Sequence, residues 1–423
     1  MMSLLRTSDR GISAMPPIDA REFAVWIARR LREHGHLAYF AGGCVRDQLL
    51  GLQPTDYDLA TDARPDRIKS LFRSAIGVGE SFGVVLVRRG DLVVEVATFR
   101  SDGTYSDGRR PDSVSFGDEE ADAARRDFTI NAIFQDPVDE TIIDYFDGRS
   151  DLEARILRAV GDPDQRLNED RLRVLRAIRF AARFELSIEA ATSDAITRHA
   201  SRLEGVSRER VGQELRKMLS NPERRIAARL LEDFELDREV LGSVRTRPDV
   251  FELIERMPEE SCDPMDALAA WLLDRVGVSA LDSSGPLRNR LMLSNQETKR
   301  LERVLELFFE LLERWSALVV APRKRLAADP LFASALELIR GRDPKLARMI
   351  DTDLEELART GIAPTPFVDG DDLVEAGLTP GPLFRTILDG VYDAQLEQRV
   401  GDQAAALELA LRLATELDRE TTP

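Results

Sequence analysis

The 423-residue chain has only two cysteines, Cys44 and Cys262, and three histidines, His34, His36 and His199. Two thiols so far apart make neither a disulfide framework nor a thiolate metal cage, and a reducing, cytoplasmic setting is expected. Three scattered histidines do not suffice for a histidine-based metal hydrolase, and neither a nucleophile–histidine triad nor a P-loop is present. No apolar run reaches the roughly 18–20 residues that span a membrane, so no membrane partner is expected. Residues 1–17 lack the apolar core of a secretory signal and read as a flexible N-terminus. Lysine is scarce too: five of the 59 basic residues are lysine and the rest arginine, the side chain of planar, bidentate contacts. The net charge of −17 argues at first against a nucleic-acid partner. That deficit is local, since residues 351–423 carry 5 basic and 16 acidic side chains while residues 151–350 carry 35 of each.

Hydrophobic residues at 43% and charged residues at 32% fit a soluble globular protein, long enough for two to four domains. Its most informative stretch is Phe40 to Asp58. An apolar strand, Leu37 to Ala41, turns on Gly42 and Gly43 into a short helix with Arg46 and Asp47. A glycine pair there lets backbone N–H groups approach an anion, and Arg46 is placed to hold a phosphate. After Pro54 and Thr55 a second strand opens with Asp56-Tyr57-Asp58-Leu59. Residues two apart on a strand share a face, so the two carboxylates suit a pair of hard divalent cations about 4 Å apart, as in two-metal phosphoryl transfer.

Around this stretch the pattern is mixed. Asp19 starts a helix through Glu33 with Phe23, Ile27 and Leu31 on one face, and Pro65 leads another from Arg64 to Phe72. Gly83 to Arg88 and Asp91 to Phe99 read as a hairpin bent at Arg89-Gly90-Asp91. Within it Glu95 stands among Val93, Val94, Val96 and Ala97, so either that strand has one face in solvent or the charge has a task. Ser101 to Ser115, with Tyr105, Arg109 and Arg110, has the composition of a mobile loop. Arg125, Arg126 and Asp127 then precede an apolar segment. They are either ordinary charges at a helix start or ligands for triphosphate oxygens and a ribose hydroxyl. Ile142 to Tyr145 and Ile156 to Val160 read as the last strands.

From Asp162 the pattern is helical. Asp170, Arg173, Arg176 and Arg179 recur in three-residue steps as a winding stripe, with Leu172, Leu175, Ile178 and Ala182 on the other side. Six arginines lie between Arg166 and Arg183 with few local acids, an apparent surplus of positive charge open to phosphate. Asp170 and Arg173 also suit base selection. Cytosine and adenine present an amine donor beside a ring-nitrogen acceptor, which a carboxylate and a guanidinium complement, whereas uracil and guanine reverse both contacts. Helices continue to about Asp351, with breaks expected near Pro248, Pro264, Gly285-Pro286 and Pro322. Gly361 to Pro366 reads as a linker.

Taken together, Gly42-Gly43-Cys44-Val45-Arg46-Asp47 followed by Asp56-Tyr57-Asp58 resembles the head signature of the class II tRNA nucleotidyltransferases (CCA-adding enzymes) and bacterial poly(A) polymerases. Arg125 to Ala132 resembles that family's Arg-Arg-Asp motif, Glu169-Asp170-x-x-Arg173 its base-reading motif, and Ser207 to Leu219 the helix that supports it. The resemblance implies an α+β nucleotidyltransferase head with a mixed β-sheet over residues 18–160, a helical neck for base recognition over 161–221, a helical body over 222–360 and a helical RNA-binding tail over 361–423. It implies Asp56, Asp58 and Glu95 as catalytic ligands of Mg²⁺. Nucleotide binding falls to Gly42, Gly43, Arg46, Arg125, Arg126, Asp127, Asn131, Asp170, Arg173, Arg176 and Arg179, and Tyr105, Arg109 and Arg110 lie on a flexible loop needed for the final adenosine. The implied activity is untemplated addition of C and A from CTP and ATP to a tRNA 3′-hydroxyl. A poly(A) polymerase or an A-adding enzyme on the same fold is the alternative, and a non-catalytic RNA-binding protein, which should have lost a carboxylate, is more remote. The residues do not fix an oligomeric state.

Overall fold

The computed structural model describes residues 19–421 except 80–81, 106–112, 243–245, 248–249 and 259–261. Arg109 and Arg110 therefore lie outside the described residues. The chain forms two compact units, residues 1–218 with 226–240, and residues 219–225 with 241–423.

In the first unit the elements run α1 (Ala20–Glu33), β1 (Ala38–Ala41), α2 (Gly43–Leu49), β2 (Leu59–Thr61), α3 (Pro65–Leu71), β3 (Ala75–Gly79), β4 (Val84–Arg89) and β5 (Leu92–Thr98). Then follow β6 (Arg100–Asp102), β7 (Val114–Phe116), α4 (Glu119–Ala124), β8 (Ile133–Gln135), β9 (Ile142–Asp144), α5 (Gly148–Glu153) and β10 (Ile156–Leu157). The last are α6 (Pro163–Glu169), α7 (Leu172–Arg183), β11 (Ser187–Ile188), α8 (Ala190–His199), α9 (Arg208–Leu219) and most of α10 (Arg224–Asp233) and α11 (Leu236–Leu241). Local chemistry explains the boundaries. Asp19 and Glu22 form a reciprocal capping box at the start of α1, whose Phe23, Ile27 and Leu31 are buried as their spacing predicts. Proline occupies the first turns of α3 and α6, where its missing N–H has no intrahelical partner to lose.

Seven strands pair in the order β3-β4-β5-β2-β1-β8-β9. All neighbours are antiparallel except β2 and β5, which run parallel with Leu59 opposite Val96 and Thr61 opposite Thr98. A parallel pair needs a crossover, and here α3, β3 and β4 supply it. Helices α1 and α3 lie against β1, β3, β4 and β5, whose Val85, Val87, Val94 and Val96 are buried. A separate cluster of Ala41, Ala60, Phe99, Ala123, Ala132, Phe134 and Val160 packs with Tyr39.

Three expectations change here. The second of the two last strands, Ile156 to Val160, shortens to β10 and leaves the main sheet. It pairs in parallel with β11, so the neck region is not purely helical. The root of the 101–115 loop is ordered, with β6 and β7 pairing antiparallel from Arg100–Phe116 to Asp102–Val114. Asp56 and Asp58 precede β2 rather than lying in it, although Asp58 already offers its carbonyl to Ala41 N at 3.1 Å.

The second unit is helical throughout its described residues. Pro264 starts a helix as expected, Pro264–Val276. Gly285-Pro286 and Pro322, read as breaks, do not interrupt Ala280–Arg290 and Val320–Ala327. Pro322 is the third residue of its helix, where no N–H is needed, and Pro286 is accommodated at the loss of one hydrogen bond. Near the C-terminus, Val368, Leu373, Ile387, Val391, Ala406 and Ala410 form their own apolar cluster. Among the described residues no helix is long and apolar enough to cross a membrane.

Candidate active site

A cavity of about 730 Å³ opens in the first unit. It is lined by Asp56, Asp58 and Glu95 and by all eleven residues expected to bind nucleotide: Gly42, Gly43, Arg46, Arg125, Arg126, Asp127, Asn131, Asp170, Arg173, Arg176 and Arg179. Arg210 and Lys217, which the sequence reading did not assign, line it too. Tyr105 stands at the root of the loop and donates its hydroxyl to Asp102 Oδ2 at 2.6 Å. Arg100 Nε bonds the other oxygen of Asp102 at 3.0 Å.

The acidic side is set by sheet register. With Leu59 opposite Val96, the preceding Asp58 falls beside Glu95 across the parallel pair. On β5 Val94 and Val96 are buried while Glu95 is exposed, so its strand has one face open and that face is the cavity's. Burial under the cavity walls and the charges of Glu95 and Asp56 raise the Asp58 carboxyl to about 6, although Arg126 opposes the shift. Desolvation by the surrounding cavity walls likewise raises Glu95, open though its face is, against the pull of Arg100 and Arg125. The arginines nearest these acids are committed elsewhere. Arg125 Nη2 and Arg126 Nη2 bond the two oxygens of Asp122 at 2.7 and 2.9 Å. Among the described residues no three His, Cys, Asp or Glu side chains stand close enough to enclose an ion. The donor chemistry still fits a hard divalent cation, being carboxylate oxygen alone with its repulsion only partly offset by the arginines.

Gly42 forms the turn at φ 69°, ψ −118°. A Cβ there would lie 2.9 Å from Arg126 Nη1 and displace the end of that side chain, but it is the positive φ that calls for glycine. Its N–H is not free for an anion, because it donates to Ile133 O at 3.3 Å.

Arg46 differs from expectation. Its Nε and Nη2 bond Asp47 Oδ1 at 2.8 and 2.6 Å, and its Nη1 bonds Asn131 Oδ1 at 2.5 Å. The guanidinium also lies over Phe180 and Phe184, 5.1 and 4.5 Å from the ring centroids. These bonds use three of the five guanidinium N–H donors, so this side chain orients its neighbours as well as lining the cavity. Asn131 Nδ2 passes the contact on to Asp127 Oδ1 at 2.9 Å, and Asp127 Oδ2 receives Arg176 Nε at 2.7 Å. Burial pushes the Asp127 carboxyl up, but Arg176, Asn131 and Arg173 together hold it well below the usual range. Arg183 Nη2 reaches Asp47 Oδ2 at 3.4 Å. Helix α7 is thus fastened to the head through Asp127 and Asp47, with Arg46 and Asn131 between them, and again where Arg173 Nη2 donates to Arg125 O at 3.1 Å.

The apparent surplus of arginine is corrected in the same way. Arg166 and Arg173 share Glu169 Oε2 at 2.8 and 2.5 Å, and Arg179 meets Glu214 at 2.6 Å. With Arg176 on Asp127 and Arg183 on Asp47, five of the six have acidic partners. Asp170 is corrected too. It sits in a break between α6 and α7 at φ −141°, ψ 102°, off the arginine stripe. Its Oδ1 accepts Leu172 N at 3.1 Å, which turns the chain into α7. Its Oδ2 accepts Arg210 Nη2 at 2.6 Å, so its ionic partner is Arg210 and not Arg173. Arg210, Glu214 and Lys217 are spaced four and three apart on α9, a one-face pattern that could have flagged them.

Residues 38–158 match the family model described as the Poly A polymerase head domain. Residues 185–243 match that described as a probable RNA and SrmB-binding site of polymerase A. The first unit is therefore built as an RNA nucleotidyltransferase of the poly(A) polymerase head class. The chain is 34% identical over 404 residues to a CCA-adding enzyme of Lactococcus lactis subsp. cremoris, covering 93% of this chain and 96% of the relative. A match to the CCA-adding enzyme of Geobacillus thermodenitrificans is 46% identical over 200 residues, and spans about half of each protein, 47% of this chain and 49% of the relative. The crystal structure of the Bacillus stearothermophilus CCA-adding enzyme in complex with CTP is similar at a TM-score of 0.75 and 28% identity, covering 96% of this chain and all of that one. The chain belongs to the CCA-adding enzyme family.

Proposed function

We propose that this chain is a tRNA nucleotidyltransferase that adds C and A, without a nucleic-acid template, from CTP and ATP to a tRNA 3′-hydroxyl. One observation carries the reading: a single cavity holds largely uncompensated carboxylates on one side and the Asp170–Arg210 pair with Arg173 on the other. Asp56, Asp58 and Glu95 would hold Mg²⁺, which when bound lowers the pKa of an attacking hydroxyl and neutralises a leaving pyrophosphate. The chain's own residues supply the rest. The Asp170 carboxylate accepts from the exocyclic amine of cytosine or adenine while Arg173 donates to the ring nitrogen, and the Arg210 contact orients Asp170. Arg126, Arg176 and Arg179 present donors to the triphosphate, and Asp127 with Asn131 reads the ribose. Residues 161–221 act as the base-recognition neck, residues 361–423 contact the RNA away from its end, and the reaction belongs in the cytoplasm.

The test uses three RNAs: tRNA lacking its CCA end, tRNA ending in CC, and an unstructured RNA, each with Mg²⁺ and CTP, ATP or both. Addition of C, C and A that then stops is the expected result. A single A on the CC-ended tRNA and nothing on the shorter one makes it an A-adding enzyme, and long A tracts on all three make it a poly(A) polymerase. No incorporation on any RNA overturns the catalytic reading.

A further inference from the structure

The nucleotide cavity leaves part of the head sheet unused. On β5, Val93, Glu95 and Ala97 alternate with the buried Val94 and Val96. Register carries the Glu95 face across two more strands. Arg88 lies opposite Val93, Leu86 opposite Glu95 and Val84 opposite Ala97 on β4, and Ile76 lies opposite Leu86 on β3. Ile76 is 48% exposed, Val78 65% and Val93 46%. The solvent face of an antiparallel sheet ordinarily carries polar side chains. Here aliphatic ones run from the edge strand to the catalytic carboxylates, and an open apolar patch of this kind marks a binding surface.

We propose that this strip receives the unpaired 3′ end of the acceptor RNA, an inference that rests on the function proposed above. The first argument is continuity combined with reaction geometry. The cavity that would take the triphosphate lies over Ala41, Gly42, Gly43 and Ala60 and under the arginines of α7, whereas the strip begins at Glu95 and runs away from it. In-line displacement places the attacking and leaving oxygens on opposite sides of the transferred phosphorus. With pyrophosphate leaving toward the arginines, the attacking hydroxyl arrives over β5, β4 and β3. The second argument is charge. Among Ile76, Val78, Val84, Leu86, Arg88, Val93 and Glu95 the one acid is the proposed metal ligand. Arg88, exposed at the far end, is placed for a backbone phosphate. Aliphatic side chains offer the faces of bases a surface that reads no sequence, which suits an RNA end whose last base changes with each addition.

The experiment measures KM for tRNA lacking its CCA end and KM for CTP separately, in the full chain with Mg²⁺. The variants are Ile76→Asp, Val93→Asp, the milder Val93→Thr, and Arg88→Gln. The aspartates should raise KM for tRNA about tenfold or more and leave KM for CTP within about twofold. Val93→Thr should give a smaller rise, and Arg88→Gln should flatten the salt dependence of the tRNA KM. All three positions are at the surface, and unfolding midpoints near the parent's show that the fold is kept. An active parent whose tRNA KM is untouched by both aspartates overturns the strip but leaves the enzyme reading standing. A parent that incorporates no nucleotide overturns both. If instead the parent sediments as a dimer and the aspartates make it monomeric without changing the tRNA KM, the strip is a self-association surface and the proposal fails.

Discussion

The two sides of the cavity treat charge in opposite ways. On the carboxylate side, Asp56, Asp58 and Glu95 repel one another and the nearby arginines bond other acids. On the α7 side, Arg173, Arg176, Arg179 and Arg183 each have an acid, brought from Glu169, Asp127, Glu214 and Asp47. The difference separates two kinds of work. A group left largely uncompensated needs something from outside the protein, whereas a group already paired is held in position by its partner and offers an anion only its remaining donors. Arginines in a cavity are therefore weaker evidence for a bound anion than unpaired acids are for a bound cation.

The comparison can be broken from either side. Asp58→Ala should lower incorporation by roughly 10³-fold or more, since several kcal/mol of charge stabilisation depend on that ligand, while the variant's thermal midpoint does not fall. A variant that keeps full activity refutes the assignment of the acidic side. Next in size, Asp127→Ala leaves the half-buried Arg176 and the Asn131 amide without their acceptor and should cost about 1–3 kcal/mol of stability by urea titration. The folded-state carboxyl of Asp127 lies below its unfolded value, so its contribution is complete above roughly pH 4 and drains away as pH falls through the folded value. The Asp127→Ala chain should therefore show a flatter loss of stability in acid than the parent. Arg46→Lys should cost about 1–2 kcal/mol, because a lysine cannot bridge Asp47 and Asn131 while lying flat on Phe180 and Phe184. A stability unchanged by that substitution would return Arg46 to the role of a simple phosphate ligand. The smallest effect has the opposite sign. Asp58 is held at about 6, above its unfolded value, so the metal-free fold weakens as pH rises from about 4 through about 6, and the loss is complete above that. Asp58→Asn should raise the melting point of that form at neutral pH, by less than about 1 kcal/mol for so open a group, with the gain vanishing in acid.

Much of this was legible in the sequence, and the rest failed for identifiable reasons. The capped helix α1, the Gly42-Gly43 turn and the β4–β5 hairpin depend on neighbouring residues, and all three formed as their local signals indicate. Every nucleotide-site residue expected from the motifs lines the one cavity. The pairing of the arginines was not legible, because their partners lie up to 136 residues away. A count of acids within one segment cannot see Asp47 or Glu214. The bend at Asp170 was hidden because the three-residue step of Arg179, Arg176 and Arg173 leads straight onto Asp170. Residues 101–115 read as loop because Gly103, Gly108 and Pro111 mask two three-residue strands.

The parallel pairing of β2 with β5 has a consequence for how this protein is made. Asp58 and Glu95 are 37 positions apart, and what sets them side by side is the register of two short strands joined by a helix and a hairpin. A slip of one residue in β5 would turn Glu95 toward the buried valines and bring Val94 or Val96 to the carboxylates, because successive side chains alternate between faces. The slipped chain would be inactive and would also bury an unpaired charge, so it would be poorly stable. Correct folding and a complete metal site are thus one event: misassembled copies would be the first to unfold and be cleared, and the survivors would be those able to act on RNA.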